Sequence, residues 1–313
     1  MNGSDREAAA DVLRAWALDE DLKEKVMTSP LLAPVASRIA RQYSAGDTVA
    51  DAVEAAQRSM SRGHGVSIEY AGESVRDADL ARHETTVFLE LISALREANI
   101  ASTVSFDLSH VGLLLGQDPA MENVRAMAKA LAPLGTSLMI SAEGSDRTDL
   151  VLDTYDALIA EELPVGITIQ ARLHRSAADL ERVLEHPGVI RLVKGAFLEP
   201  ADRAYPRGSS ELQDAYLRLA GRILEAGHPL SIATHDAALI GKLTTEHPDL
   251  ISRPDVEFEM LLGLGTATLD QLRKDGYTTR EYSIFGDQWW LYVLNRIAEE
   301  PERVFTALVA AAQ

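Results

Sequence analysis

"VIRLVKGAF" (residues 189–197) is the stretch on which the fold turns. Its apolar residues read as a short buried strand, yet Arg191 and Lys194 stand in it three residues apart, ahead of Gly195 and Ala196. Burying an unpaired cation costs several kcal/mol, so the strand calls for partners with anionic oxygens or ring acceptors. Those partners decide what the protein does.

Seven further runs have strand character: "VSIEYAG" (66–72), "TVSFDLS" (103–109), "SLMISAE" (137–143), "VGITIQA" (165–171), "PLSIATH" (229–235), "VEFEMLLG" (256–263) and "REYSIFG" (280–286). Between them lie amphipathic helical patterns such as "HETTVFLELISALREANI" and "DLVLDTYDALIAEEL". Alternating strands and helices imply a parallel sheet with right-handed crossovers. Eight such units predict a (β/α)₈ TIM-like barrel over residues 65–313, preceded by a helical arm over residues 1–64. The longest loop falls in "FLEPADRAYPRGSSELQ" (197–213).

Composition removes several functions. With 30 Lys and Arg against 48 Asp and Glu, the net charge is −18, which argues against nucleic acid and against a standing bond to an anionic membrane. The absence of cysteine excludes disulfides, thiolate nucleophiles and Cys-held metals. No run approaches the ~18 apolar residues of a membrane span, and the charged N-terminus lacks a signal-peptide core. A cytoplasmic protein is expected.

A barrel carries its chemistry at the C-terminal ends of its strands. Polar residues expected there are Asp107, Glu143, Gln170 with Arg172, Arg191 with Lys194, Thr234-His235-Asp236, Glu257, Glu259, and Arg280 with Tyr282. Arg191 and Lys194 read either as an internal ion pair with Glu257 or Glu143 or as a cationic wall for a ligand. His235 suits a metal, a base or a hydrogen-bonding wall, but His64, His110, His174 and His228 stand in no metal-ligand spacing with it. Neither GxGxxG nor GxxxxGK[ST] is present, which speaks against nicotinamide and nucleoside-triphosphate sites. "FGDQWWLYVLNRIAEEP" (285–301) predicts a helix led by Asp287 and ended by "EEP". Its Tyr292, Asn295, Arg296 and Glu299 share one face, as a site or as a plain Arg296–Glu299 surface pair.

"IRLVKGAF", "ATHDAALI", "VEFEMLLGLG" and "EYSIFGDQWWLYVLNRIAEEP", with "GDTVADAVEAAQ" and "GVSIEYAGESV" nearer the N-terminus, together resemble the bacterial proline dehydrogenase family over residues 46–301. The resemblance implies a distorted barrel, FAD, and oxidation of L-proline to Δ¹-pyrroline-5-carboxylate, with electrons passed to a quinone or another acceptor. A quinone acceptor would bring the protein to the inner face of the membrane. The resemblance further implies that Arg191 faces the flavin N5 edge, while Lys194, Gly195, Ala196, Gln170, Thr234, His235 and Glu299 meet the cofactor. Tyr282, Leu261 and Arg296 then match the substrate pocket. Four positions depart from the pattern: Asn295 replaces the first of two adjacent arginines, Asp107 a lysine, Ser141 an aspartate and Phe197 a tyrosine. Those departures leave two alternatives to proline oxidation: a different amine or imino acid, and a catalytically silent ligand-binding homologue.

Overall fold

The computed structural model describes residues 3–72, 74–299, 301–305 and 309. Glu73, and the Glu300 of the helix-ending "EEP", lie outside those residues. Four helices come first: α1 (Gly3–Ala17), α2 (Glu20–Met27), α3 (Ala33–Ala40) and α4 (Val49–Ser61). The alternation then begins with β1 (Gly65–Tyr70), α5 (Ala78–Glu97), β2 (Thr103–Phe106), α6 (Gln117–Leu131), β3 (Leu138–Ile140) and α7 (Thr148–Ala160). It continues with β4 (Val165–Gln170), α8 (Ser176–Val183), β5 (Ile190–Val193), α9 (Ser210–Glu225) and β6 (Leu230–Ala233). After α10 (Ala237–Glu246) and α11 (Pro248–Ile251) come β7 (Val256–Leu261), α12 (Thr266–Lys274), β8 (Thr278–Phe285) and α13 (Trp289–Glu299). All neighbouring strands pair in parallel, and β8 pairs with β1, so the sheet closes into the expected barrel.

Helix starts follow local capping chemistry. Thr48 and Asp51 form a reciprocal capping box on α4, and Asp77 and Ser209 accept from backbone N–H groups at the starts of α5 and α9. Asp236 caps α10 by accepting from the Ala238 and Leu239 amides. The last helix starts at Trp289, so Asp287 stands just before it and does not open it as the sequence suggested.

Side-chain alternation along the strands sorts the core into two shells. Val66, Ile68, Val104, Phe106, Leu138, Ile140, Ile167, Leu192, Ile232 and Phe258 turn outward and pack with helix residues such as Phe88, Leu91, Val124 and Leu219. The intervening positions point into the barrel, and many are small or polar: Ser67, Ser105, Arg191, Ser231 and Glu259 are all buried. Barrel interiors are usually filled by bulky branched side chains. This one is organised around charge.

The N-terminal segment attaches in two places. Ala52 and Ala56 of α4 belong to the shell around the barrel, and Ser59 and Arg62 donate to Glu281 of β8. Ala10 and Leu13 of α1 pack instead with Trp289, Trp290, Val293 and Ile297 of α13, where Trp290 Nε1 donates to the Trp16 carbonyl at 2.9 Å. The segment from Lys194 to Ser209 is irregular, as the Pro- and Gly-bearing sequence predicts.

Candidate active site

Three levels of inward-facing residues run up the barrel. At the N-terminal end, Arg280 Nε donates to Glu257 at 2.6 Å and its Nη1 to the Val66 carbonyl. The expectation that Glu257 and Arg280 sit at the catalytic mouth is therefore corrected. They occupy the second and third residues of their strands, and parallel strands place those positions at the opposite face. A cavity of about 490 Å³ opens there, lined by Thr103, Ser137, Glu257 and Arg280 and reaching up to Arg191 and Glu259.

The middle level is one buried ion pair. Arg191 Nε and Nη2 meet the Glu259 carboxylate at 2.6 and 2.9 Å, and Nη2 also donates to Ser105 Oγ at 3.0 Å and Ser67 Oγ at 3.3 Å. Ser231 Oγ donates to Glu259 Oε2 at 2.7 Å. Burial alone would lower the arginine pKa, but the Glu259 carboxylate outweighs it and the guanidinium stays charged. Burial likewise works against Glu259 ionisation, and Arg191 outweighs it, holding the carboxyl below its ordinary range.

The partner of Arg191 is thus Glu259, not Glu257 or Glu143. Alternation turns both Glu257 and Glu259 inward; Ser231 is level with Arg191 and with Glu257, but Glu257 is taken by Arg280, and Arg191 meets the carboxylate one dipeptide further up β7. Lys194 is also satisfied within the chain, its Nζ donating to Asp236 Oδ2 at 2.5 Å. Neither cation of "RLVKGA" needs a ligand to be paired. Both are held in place by carboxylates one and two strands away.

The upper level lies at the C-terminal ends. Tyr282 OH donates to Glu69, and Ser141 Oγ donates to the same Glu69 Oε2 at 2.8 Å. The Tyr282 ring lies 5.0 Å from the Arg191 guanidinium carbon, and burial, with the nearby Glu69 charge, pushes its phenol well above the usual range. Asp107 follows β2 and is half-buried. Glu143 accepts from the Ser109 amide at 2.9 Å and from Arg147 at 2.8 Å, so its charge is spent on the chain. Gln170 Nε2 donates to the Glu143 carbonyl at 2.7 Å, while Oε1 faces Gly195.

Gly195 has φ +108°, and a Cβ there would stand 3.1 Å from Gln170 Oε1 and 3.2 Å from Arg172 Cβ. Only glycine keeps this turn open. Thr234 accepts from the Asp236 amide at 3.2 Å. His235 Nε2 accepts from the Leu261 amide at 3.4 Å, which leaves the proton on Nδ1, a buried atom without a partner. Burial first, and Arg296 second, lower its pKa to about 4, so the ring is neutral.

On α13, Arg296 lies over the Tyr292 ring at 5.2 Å and donates to Glu299 at 2.7 Å. The plain Arg296–Glu299 pair anticipated from spacing is present, yet the Arg296 side chain is only 16% exposed, and its Nε and the Tyr292 hydroxyl are buried without partners. Asn295 is half-buried beside it, and Ala196 is exposed, with its carbonyl held by Arg207. Buried donors without partners cost stability unless something completes them. Here His235 Nδ1, Arg296 Nε and Tyr292 OH belong to one end of the barrel.

Residues 52–300 match the family model described as proline dehydrogenase. The chain belongs to the proline dehydrogenase family. Proline dehydrogenase 1 of Bacillus subtilis is 31% identical over 267 residues, covering 84% of this chain and 87% of that one. Proline dehydrogenase of Deinococcus radiodurans is also 31% identical, over 271 residues, covering 84% and 86%. Among solved structures, proline utilization A from Bdellovibrio bacteriovorus, inactivated by N-propargylglycine, superposes with a TM-score of 0.78 at 18% identity. It covers 94% of this chain, which spans about a third of that longer protein (36%). That likeness shows the shared barrel. Of the strand-end residues anticipated from its sequence, Gln170, Lys194, Gly195, Thr234 and His235 stand at C-terminal strand ends, and Glu257 and Arg280 do not. Sequence reasoning missed Glu69 and named Glu259 and Tyr292 without their partners, because a lone carboxylate or phenol in a strand or helix gives no sign of what it meets.

Proposed function

We propose that the protein oxidises the C–N bond of L-proline to Δ¹-pyrroline-5-carboxylate, with FAD held at the C-terminal mouth of the barrel. Family membership over residues 52–300 carries this reading. The chemistry of the mouth fits the cofactor: a glycine turn at Gly195 that a Cβ would obstruct, the paired Lys194, the amide of Gln170, and the donor on His235. Thr234, Ala196 and Glu299 complete that wall. Bound FAD supplies the acceptor for the hydride.

The chain's own residues do the rest. Arg191 is held by Glu259, so its charge is fixed in orientation before substrate arrives, as electrostatic preorganisation requires. Arg296, with Nε unused, takes a carboxylate oxygen of the substrate, and Tyr282 and Leu261 pack beside the ring. The substrate nitrogen must be neutral when hydride leaves, because a protonated nitrogen has no lone pair to form the C=N bond. Electrons then leave to a quinone or another acceptor; a quinone would place the protein against a membrane surface, although no helix among the described residues can cross one.

A second reading, a related amine or imino acid, rests on Asp107 and Asn295 standing where cations are expected. Anaerobic mixing of the purified yellow protein with L-proline and a panel of cyclic amines tests both. Bleaching by L-proline supports the first reading, and bleaching only by another amine supports the second. A colourless protein that gains no flavin from added FAD refutes both and leaves a silent homologue.

A further inference from the structure

We propose that Glu69 receives the substrate's amine and takes its proton, which makes it a catalytic residue; this rests on the dehydrogenase reading above. The charges of the mouth single it out. Arg191 is paired with Glu259, Lys194 with Asp236 and Arg147 with Glu143, and Arg296 meets Glu299 through Nη1 while its Nε stays open to the substrate's carboxylate. The contacts of Glu69 are two neutral hydroxyls, Tyr282 and Ser141, both donating to Oε2. A partly buried carboxylate whose hydrogen bonds come from hydroxyls, and whose nearest cation is already engaged by another carboxylate, attracts a further cation. A cyclic secondary amine enters as an ammonium, which is that cation.

The hydroxyls fix the carboxylate geometry from β8 and β3 at once, and neither bears on Oε1. Tyr282 cannot serve as the base, since its phenol is held protonated as the donor to Glu69. The other groups within electrostatic reach of this carboxylate are Arg191 from β5 and Tyr292 from α13. The step balances without a further reactant. The ammonium N–H bond breaks and its proton passes to Glu69 Oε1. The freed lone pair on nitrogen then forms the C=N bond as the carbon gives up hydride, leaving the iminium product and a neutral Glu69. Ser141 gains a role here: with a hydroxyl in place of an anion, the negative charge near the amine is concentrated on Glu69.

The test is rapid-mixing anaerobic flavin reduction by L-proline (or by whichever cyclic amine bleaches the wild type) from pH 6 to pH 10, with Glu69→Gln. An alkylammonium titrates near 10.4, so about one molecule in a thousand is neutral at pH 7.4. Without its base the variant depends on that fraction. Its rate should be about 10²–10³-fold low at pH 7.4, rise about tenfold per pH unit, and approach wild type near pH 10. Glu69→Asp should keep the wild-type profile at a reduced rate. Binding gives a readout free of turnover: the ring-oxygen isostere of the substrate, which has the carboxylate but no amine, should bind Glu69→Gln at least as tightly as wild type. Parallel pH profiles for Glu69→Gln and wild type, or lost binding of the isostere, overturn the role of Glu69 while leaving the dehydrogenase reading intact. A wild-type flavin that no cyclic amine reduces overturns that reading and this one together.

Discussion

Removing one member of the Arg191–Glu259 pair should destabilise the fold far more than removing both. Glu259→Met deprives Arg191 of two charge-assisted hydrogen bonds, at 2.6 and 2.9 Å, and leaves two serine hydroxyls as its remaining hydrogen-bond partners. Breaking a buried pair in this way costs about 3–5 kcal/mol, because a charge is left without compensation. The cavity of about 490 Å³ below the pair is lined in part by both groups, so relaxation into it places the expected loss at the lower end. We therefore expect each of Arg191→Met and Glu259→Met to lose about 3 kcal/mol, a fall in melting temperature of roughly 5–10 °C. The double variant replaces both charges with apolar side chains of similar length, so it should recover at least half of that loss. Equilibrium urea unfolding of the four proteins, followed by circular dichroism in excess FAD, measures the cycle. Single variants within about 1 kcal/mol of wild type would show that solvent already screens the pair. A double variant whose loss is the sum of the singles would show that the two residues are not coupled. Either result refutes the account of a charge-organised interior.

Gly195→Ala should weaken FAD retention and cost about 1–3 kcal/mol of stability, because φ is +108° and the added Cβ meets Gln170 and Arg172; flavin content and melting temperature together check it. The His235 pKa is lowered in the folded state, to about 4, against about 6.5 when unfolded. The unfolded chain therefore binds more protons between those values, so this residue's contribution should be full above pH 6.5 and fade as pH falls towards 4. A urea-stability profile of His235→Asn should be flatter than wild type across that window; an unchanged slope counts against a buried neutral imidazole. Asn295→Arg with Asp107→Lys should lower KM for L-proline by at least about tenfold, since a guanidinium fork regains a charge-assisted pair that asparagine cannot make. Steady-state assays of the double variant with no such change would remove Asp107 and Asn295 as determinants of substrate choice.

Much of this architecture was open to reading in one dimension. Each of the eight strand segments lies where its apolar run predicts, because strand and helix periodicity are local properties and parallel strands need crossover helices between them. The positions of Gln170, Lys194, Gly195, Thr234 and His235 at strand ends follow from the same counting. Pairing does not. Arg191 finds Glu259 across 68 residues of chain, and Glu69 gathers Tyr282 from 213 residues away and Ser141 from 72. Which carboxylate meets which cation depends on strand register and on the inward or outward sense of each position, and a shift of one residue reverses that sense. Glu257 and Glu259 differ by two residues in sequence, yet one belongs to the floor of the barrel and the other to its centre. The sequence by itself determined the barrel and the residues available at its mouth. Only the closed sheet decided which of those charges pair with one another and brought Glu69 to the mouth beside them, held by the hydroxyls of Tyr282 and Ser141.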